Sequence, residues 1–253
     1  MHELVVKHEG TVNREGIVAL ALQGVSVTYP DGTLAVEGLD LTVREGESVA
    51  LIGANGAGKT TLLLSLVGVI PARGRILVDG ITLDGKSLDS VRQRVGLVFQ
   101  NPDDQLFMHD IFDDVAFGLR NAGVAEAEVA LRVDHALNGL RIGHLRERSV
   151  LRLSGGEKRL AALATVMVMA PSLMLFDEPT VYLDPKARRN LIGVMNNIST
   201  TKVIATHDLA FAAETCTRVV ALKDGKVYAD GRPDELLYDV ARMDACGVEA
   251  IGA

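Results

Sequence analysis

Gly53-Ala54-Asn55-Gly56-Ala57-Gly58-Lys59-Thr60 lies between the apolar run Ser48-Val49-Ala50-Leu51-Ile52 and Thr61-Leu62-Leu63-Leu64. The order strand, glycine-rich turn, helix makes this segment a cradle for phosphate. Gly53, Gly56 and Gly58 carry no Cβ, so the backbone can curl until its N–H groups reach the oxygens of a triphosphate, and the following helix adds its positive dipole end. Lys59 offers a cation to the β and γ oxygens, and the Thr60 hydroxyl is a hard oxygen suited to Mg²⁺. Ala54, Asn55, Ala57 and Thr61 complete the stretch whose main chain would wrap the phosphates. Every fixed position of the pattern G-x-x-x-x-G-K-[ST] is filled.

A second apolar run, Leu173-Met174-Leu175-Phe176, ends in Asp177-Glu178. The carboxyl ends of parallel strands are where an α/β sheet presents reactive groups. Because side chains alternate along a strand, the two acids diverge: Asp177 can hold Mg²⁺ through a water, and Glu178 can polarise a water for in-line attack on a γ-phosphate. Leu153-Ser154-Gly155-Gly156-Glu157 has the S-x-x-E spacing of a capping box, with two glycines that leave backbone amides open to a close ligand. Taken singly, these peptides also read as a solvated loop start and a plain helix start. Their weight comes from standing in one chain with Lys59.

The elements that must position these groups follow from periodicity. Ile17 to Leu22 and Val25 to Tyr29 are β-rich, and Pro30-Asp31-Gly32 turns the chain toward Leu34-Ala35-Val36, so the chain opens with antiparallel strands. Gly74 to Gly80 reads as a strand and turn, and Arg94 to Phe99 as a buried strand. From Asn101 to Arg152 the period changes to that of helices: Phe112, Val115, Ala116 and Leu119, then Val129, Val133, Ala136, Leu137 and Leu140. Ser172 to Phe176 and Lys202 to Thr206, separated by the helical stretch Pro185 to Ile198, restore a β-α-β rhythm. Val219 to Leu222 and Lys226 to Ala229 form a hairpin around Lys223-Asp224-Gly225. Residues 1–16 and about 240–253 carry no strong pattern.

The whole-chain properties exclude several classes. A formal charge of -7 over 253 residues argues against a broad nucleic-acid-binding face, and aromatics at 4% argue against a base-stacking one. Leu160 to Ala170, the longest apolar stretch, is too short to span a bilayer. MHELVVKHEGTVNREG lacks the features of a secretory signal, so a cytosolic location is expected. Cys216 and Cys246 have no metal-ligand spacing and are taken as structural or incidental thiols.

Leu-Ser-Gly-Gly-Glu followed by the strand to Asp177 resembles the signature of the ATP-binding cassette family, and further matches extend the likeness over about residues 17–231. Gln100, at the end of its strand, resembles the Q-loop glutamine that reaches Mg²⁺ and senses the γ-phosphate. Asp184 in Leu183-Asp184-Pro185 fits the D-loop, His207 in Thr206-His207-Asp208 the switch histidine, and Tyr29 the aromatic that stacks on adenine. One departure is Val181-Tyr182, where the family has small residues. The resemblance implies an α/β fold of the P-loop NTPase (RecA-like) type: a mostly parallel sheet core, an N-terminal antiparallel β-subdomain and an inserted α-helical subdomain at about 101–158, followed by a short C-terminal helix and tail at 232–253. It implies ATP and Mg²⁺ as cofactors. It also implies a head-to-tail dimer with an identical second subunit, in which Ser154, Gly155 and Gly156 of one copy close on ATP held by Lys59 of the other.

Within the family, Val98-Phe99-Gln100-Asn101-Pro102-Asp103-Asp104-Gln105-Leu106-Phe107, continued by Asp113-Asp114-Val115-Ala116-Phe117-Gly118, is similar to the ATPases of energy-coupling factor transporters, nearest to cobalt and nickel systems. That similarity implies peripheral attachment to integral membrane subunits on the cytoplasmic side of the membrane, with no nucleic-acid partner. A vitamin importer, for example of biotin, is the alternative, followed by a soluble cassette ATPase. Leu106, Phe107 and Met108 are expected either to couple to a membrane partner or to pack inside.

Overall fold

The computed structural model of the protein describes residues 16–252, so the expected extension at 1–16 lies outside the described residues except for Gly16. The chain divides into two compact units. One comprises 16–97, 172–178 and 199–252 and holds the sheets; the other comprises 98–171 and 179–198 and is helical.

The sheet unit contains two sheets. In the first, β1 (Val18–Thr28) pairs antiparallel with β2 (Leu34–Arg44) and with β4 (Arg73–Val78), and β4 pairs with β5 (Ile81–Thr82). The second has the order β10-β9-β3-β8-β7-β6. Its strands are β3 (Ser48–Ile52), β6 (Val95–Val98), β7 (Leu173–Asp177), β8 (Thr201–Ala205), β9 (Arg218–Lys223) and β10 (Lys226–Gly231). β3 runs parallel to both β8 and β9, and β7 parallel to β8, whereas β10 returns antiparallel along β9. β3, β7 and β8 are buried at every position, which explains the apolar stretches Val49–Ile52, Leu173–Phe176 and Val203–Ala205 that form most of each strand: a central parallel strand has helices or another layer on both faces.

Helix α1 (Lys59–Leu66) leaves the carboxyl end of β3 through the glycine turn. Leu62, Leu63 and Leu66 are fully buried, as are most of its remaining positions, so α1 lacks the polar stripe of a surface helix. These leucines join Leu20, Val43, Val49, Leu51, Val203 and Val220 in one core cluster. Each such side chain contributes about 1.5–3 kcal/mol through burial. α2 (Leu88–Arg92) is a short connector, and α7 (Leu209–Thr215), α8 (Pro233–Leu236) and α9 (Val240–Ala245) complete this unit.

Two elements differ from expectation. The two N-terminal β runs are one strand: Gly24, at φ +58, absorbs an irregularity in register between Leu22 and Val25 without ending β1. The region from 240 onward, expected as a patternless tail, contains α9, whose Met243 is fully buried. A single turn is too short to display a period; α9 exists because tertiary burial holds it.

In the helical unit, α3 (Ile111–Asn121), α4 (Glu126–Gly139) and α5 (Gly155–Met167) pack on one another, and α6 (Pro185–Asn197) lies against α5. Ile111, Val115, Leu119, Val129, Val133 and Leu137 line the interior at helical spacing. Asp114 is 4% exposed and accepts from the N–H groups of Phe107 (2.9 Å) and Met108 (3.0 Å), fixing the loop before α3. Burial pushes its carboxyl up, against the pull of those two bonds. The loop splits the two expectations for it: Leu106 is buried, while Phe107 is 63% exposed and stands edge-to-face with Phe117, ring centroids 5.0 Å apart.

Candidate active site

The phosphate loop needs glycine for measurable reasons. A Cβ on Gly53 (φ +145) would sit 2.3 Å from the Leu222 carbonyl oxygen, and one on Gly58 (φ +96) 2.3 Å from that of Ala35. The turn is thus held between β9 and the start of β2, and only hydrogen fits at either point. Gly58 caps α1 with no side chain of its own, so the first N–H groups of the helix face the loop's concavity without a side-chain acceptor. Lys59 is 7% exposed. Its Nζ donates to the carbonyls of Gly53 (2.7 Å) and Ala54 (3.1 Å), which leaves one of three ammonium protons for a ligand. Burial holds its pKa below the ordinary lysine value, while the charges of Glu178 and Asp177 oppose that shift.

Asp177 stands at the end of β7, where its Oδ1 accepts from the Thr60 hydroxyl at 3.0 Å. Two hard oxygens from different elements therefore share one place at the mouth of the loop, the donor set a hydrated Mg²⁺ accepts. Glu178 is next in the chain and adopts φ +44, a left-handed backbone that a non-glycine residue enters at a cost. Its N–H donates to the Ala205 carbonyl at 2.8 Å, which turns the chain out of the sheet and redirects the side chain. Glu178 Oε2 accepts from the His207 N–H at 3.1 Å and lies 2.8 Å from His207 Nδ1. A carboxylate oxygen offers lone pairs, so this contact suits the imidazole tautomer that donates from Nδ1. The imidazole, 58% exposed, leaves Nε2 for another partner, and the carboxylate keeps its second oxygen for a water. Tyr29 joins the same unit through a 2.7 Å bond between its hydroxyl and that of Thr61 on α1.

The remaining expected residues lie in the helical unit. Ser154 caps α5 in a reciprocal box: its hydroxyl accepts from the Glu157 N–H (3.3 Å), and Glu157 accepts from the Ser154 N–H (2.8 Å) and hydroxyl (2.7 Å). These bonds hold the Glu157 carboxyl below its usual range. Gly156 has no room for a Cβ, which would meet that of Ala187 on α6 at 2.8 Å. Asp184 caps α6 by accepting from Lys186 and Ala187, both at 2.8 Å. Gln100 follows β6, and its backbone carbonyl accepts from Arg159 at 2.5 Å.

Arg159 is a residue that the sequence reading passed over. It is 2% exposed, and its guanidinium also donates to the Phe99 carbonyl at 2.7 Å, so α5 grips the backbone on which Gln100 stands. Gln105 adds a second tie, accepting from the Phe99 N–H (3.2 Å) and donating to the Ala162 carbonyl (2.8 Å) and Thr165 hydroxyl (2.7 Å). The available signal was an arginine at the head of the apolar run Leu160 to Ala164, where a solvated charge is out of place.

Tyr182, noted as a departure, has φ +63 and is 85% exposed. The left-handed conformation is one that glycine adopts without a Cβ penalty. Tyr182→Gly is therefore expected to stabilise the protein by about 1 kcal/mol, since a left-handed residue with a Cβ costs about 1–2 kcal/mol and little side-chain burial is lost. Urea unfolding checks this; an unchanged or lower midpoint would contradict it.

The profile described as ABC transporter matches residues 36–181. The chain belongs to the ABC transporter family. Among ABC proteins, it is 42% identical over 226 residues to the energy-coupling factor transporter ATP-binding protein EcfA of Methanothermobacter thermautotrophicus, covering 87% of this chain and 73% of that one. It is 42% identical over 236 residues to the cobalt import ATP-binding protein CbiO of Rhodobacter capsulatus, covering 90% and 84%. The solved structure of cbiO1 from Clostridium perfringens, part of the ABC transporter complex cbiONQ, superposes with a TM-score of 0.81 at 34% identity, covering 90% of this chain and 94% of that one. The fold is accordingly that of the ABC ATPases, a P-loop NTPase with an antiparallel β part beside a mostly parallel sheet, and the protein is an ATP hydrolase of the ABC type. No helix among the described residues is long and apolar enough to cross a membrane.

Proposed function

We propose that this ABC ATPase powers an importer of the energy-coupling factor type that takes up cobalt or nickel ions through separate membrane subunits. The observation that carries the reading is the grouping of Lys59, Thr60, Asp177, Glu178 and His207 at one phosphate loop, and the same chain carries the energy-coupling-factor-like run from Val98 to Gly118. In this reading the cassette spans 17–231, with its helical subdomain at about 101–158. The loop from Gly53 to Thr61 binds the triphosphate, Tyr29 meets the adenine, and Thr60, Asp177 and Gln100 hold Mg²⁺, which supplies charge neutralisation on the phosphates when bound. Glu178 takes the proton of the attacking water, and His207, already bonded to Glu178, steadies it toward the γ-phosphate. Ser154, Gly155, Gly156 and Asp184 serve the nucleotide of a second, identical copy arranged head to tail. Exposed Phe107, with its loop pinned by Asp114, belongs to the surface that meets the membrane subunits on the cytoplasmic side.

The name of the cobalt relative supports the metal, and the run after Gln100 supports the transporter type. Radiolabelled cobalt or nickel uptake in cells producing the protein with its membrane partners is the test. Uptake is expected to disappear with Glu178→Gln. Metal uptake indifferent to that substitution, with loss of biotin uptake instead, would move the assignment to a vitamin importer. Co-isolation with RNA or DNA in a nuclease-sensitive complex, without a membrane protein, would overturn the transport reading.

A further inference from the structure

The peptide unit joining Gly53 to Ala54 is held at both ends. Its carbonyl accepts from Lys59 Nζ at 2.7 Å, and its N–H, on Ala54, donates to the carbonyl of Cys246 at 3.0 Å. Cys246 ends α9, and the chain leaves that helix through Gly247 at φ +69. The Gly247 N–H donates to Asp244 (3.0 Å) and the Val248 N–H to Met243 (3.1 Å), the paired bonds of a Schellman turn. The turn satisfies the carbonyls of Met243 and Asp244 and directs that of Cys246 at the phosphate loop. The segment is not a loose end. Met243, Cys246 and Leu237 are buried, and the Ile251 N–H returns to the Leu237 carbonyl at 2.9 Å.

From this geometry we infer that the C-terminal turn at Cys246-Gly247 is a positioning element for Lys59, acting through the single peptide plane between Gly53 and Ala54. A trans peptide is planar, with its N–H and C=O pointing oppositely, so fixing the donor at one end fixes the acceptor at the other. A hydrogen bond at the N–H also polarises the carbonyl and strengthens what that carbonyl accepts. The tail carbonyl thereby keeps the lysine folded onto the loop with one proton directed outward, and ATP meets a cation already in place. The inference rests on the reading of Lys59 as a triphosphate ligand and adds a second layer to it.

Gly247 is the handle for a test. A Cβ there would come within 3.0 Å of the Ala54 Cβ, pushing the tail off the loop, while Gly252, also left-handed at φ +80 and in the same segment, has open space around it. Gly247→Val is expected to raise the Kd of full-length protein for a fluorescent ATP analogue, and the KM for ATP, by about 3- to 10-fold, the equivalent of one hydrogen bond, with kcat within about twofold. Gly252→Val carries the same backbone strain and should bind as wild type. Combining Gly247→Val with Ala54→Gly, which removes the atom being struck, should recover most of the loss relative to Ala54→Gly alone. Equal effects from Gly247→Val and Gly252→Val, no effect from either, or no recovery in the double variant would each overturn the inference. Should wild-type protein fail to bind the analogue, the fault would lie with the nucleotide reading itself and not with the tail.

Discussion

Glu178→Gln is expected to lower ATP turnover by about 10²- to 10⁴-fold, the range for loss of a general base, while the protein still binds ATP. The substitution isolates basicity from geometry. Glu178 uses Oε2 to accept from the N–H and ring of His207, and the carbonyl oxygen of a glutamine can accept both bonds in the same place. The backbone at φ +44 and the bond from the Glu178 N–H to Ala205 are indifferent to the change. What disappears is the lone pair able to take a proton from water. Because ATP is retained and not consumed, the proposed closed dimer should accumulate, visible as an ATP-dependent doubling of mass by light scattering. Hydrolysis within twofold of wild type would remove Glu178 from the chemistry.

Lys59→Ala acts on the preceding step. Lys59 is the cation inside the phosphate loop, buried and bonded to the carbonyls of Gly53 and Ala54. Hydrogen bonds to charged groups are worth about 1.5–3 kcal/mol, so the loss of its proposed bonds to the β and γ oxygens converts to a Kd for ATP about 10- to 100-fold higher. The two carbonyls also lose their donor, which loosens the loop and adds to the effect. Calorimetry with ATP on this variant, set beside Glu178→Gln, separates the two roles: the first should bind about 10- to 100-fold more weakly, and the second should keep its affinity while turnover falls. A Kd equal to that of wild type would contradict the role of Lys59.

The fold and the site were legible where chemistry imposes a spelling. Gly53 and Gly58 must be glycine because carbonyl oxygens stand where their side chains would be, so the pattern that announces the loop is also the one its packing demands. Buried parallel strands advertise themselves as apolar stretches without polar alternation, and β3, β7 and the Val203–Ala205 part of β8 were visible for that reason. The hairpin of β9 and β10 was marked by Asp224-Gly225, both left-handed. Legibility fails where a role depends on a distant partner. Arg159 reads as one more charge after Lys158, and only the fold reveals that it holds the carbonyls of Phe99 and Gln100. Gly247 reads as an incidental glycine until Ala54, far away in the chain, is placed beside it. Ser154 was legible as a helix cap from its spacing to Glu157, the part of its behaviour that needs no second element, whereas the cap that Asp184 provides for α6 came only with the structure.

The central strand β3 has consequences for the birth of the protein as well as for its resting shape. Its parallel neighbours are β8 and β9, and the bond from the Ser48 N–H to the Thr217 hydroxyl joins residues 169 positions apart. A ribosome adding about 5–20 residues per second delivers the phosphate loop roughly 10–30 s before the strands that must flank it. Through that interval the nascent chain has a nucleotide motif with no sheet to hold it, and such late, non-local pairing is slow to form. Fragments ending short of β9 should therefore not capture nucleotide.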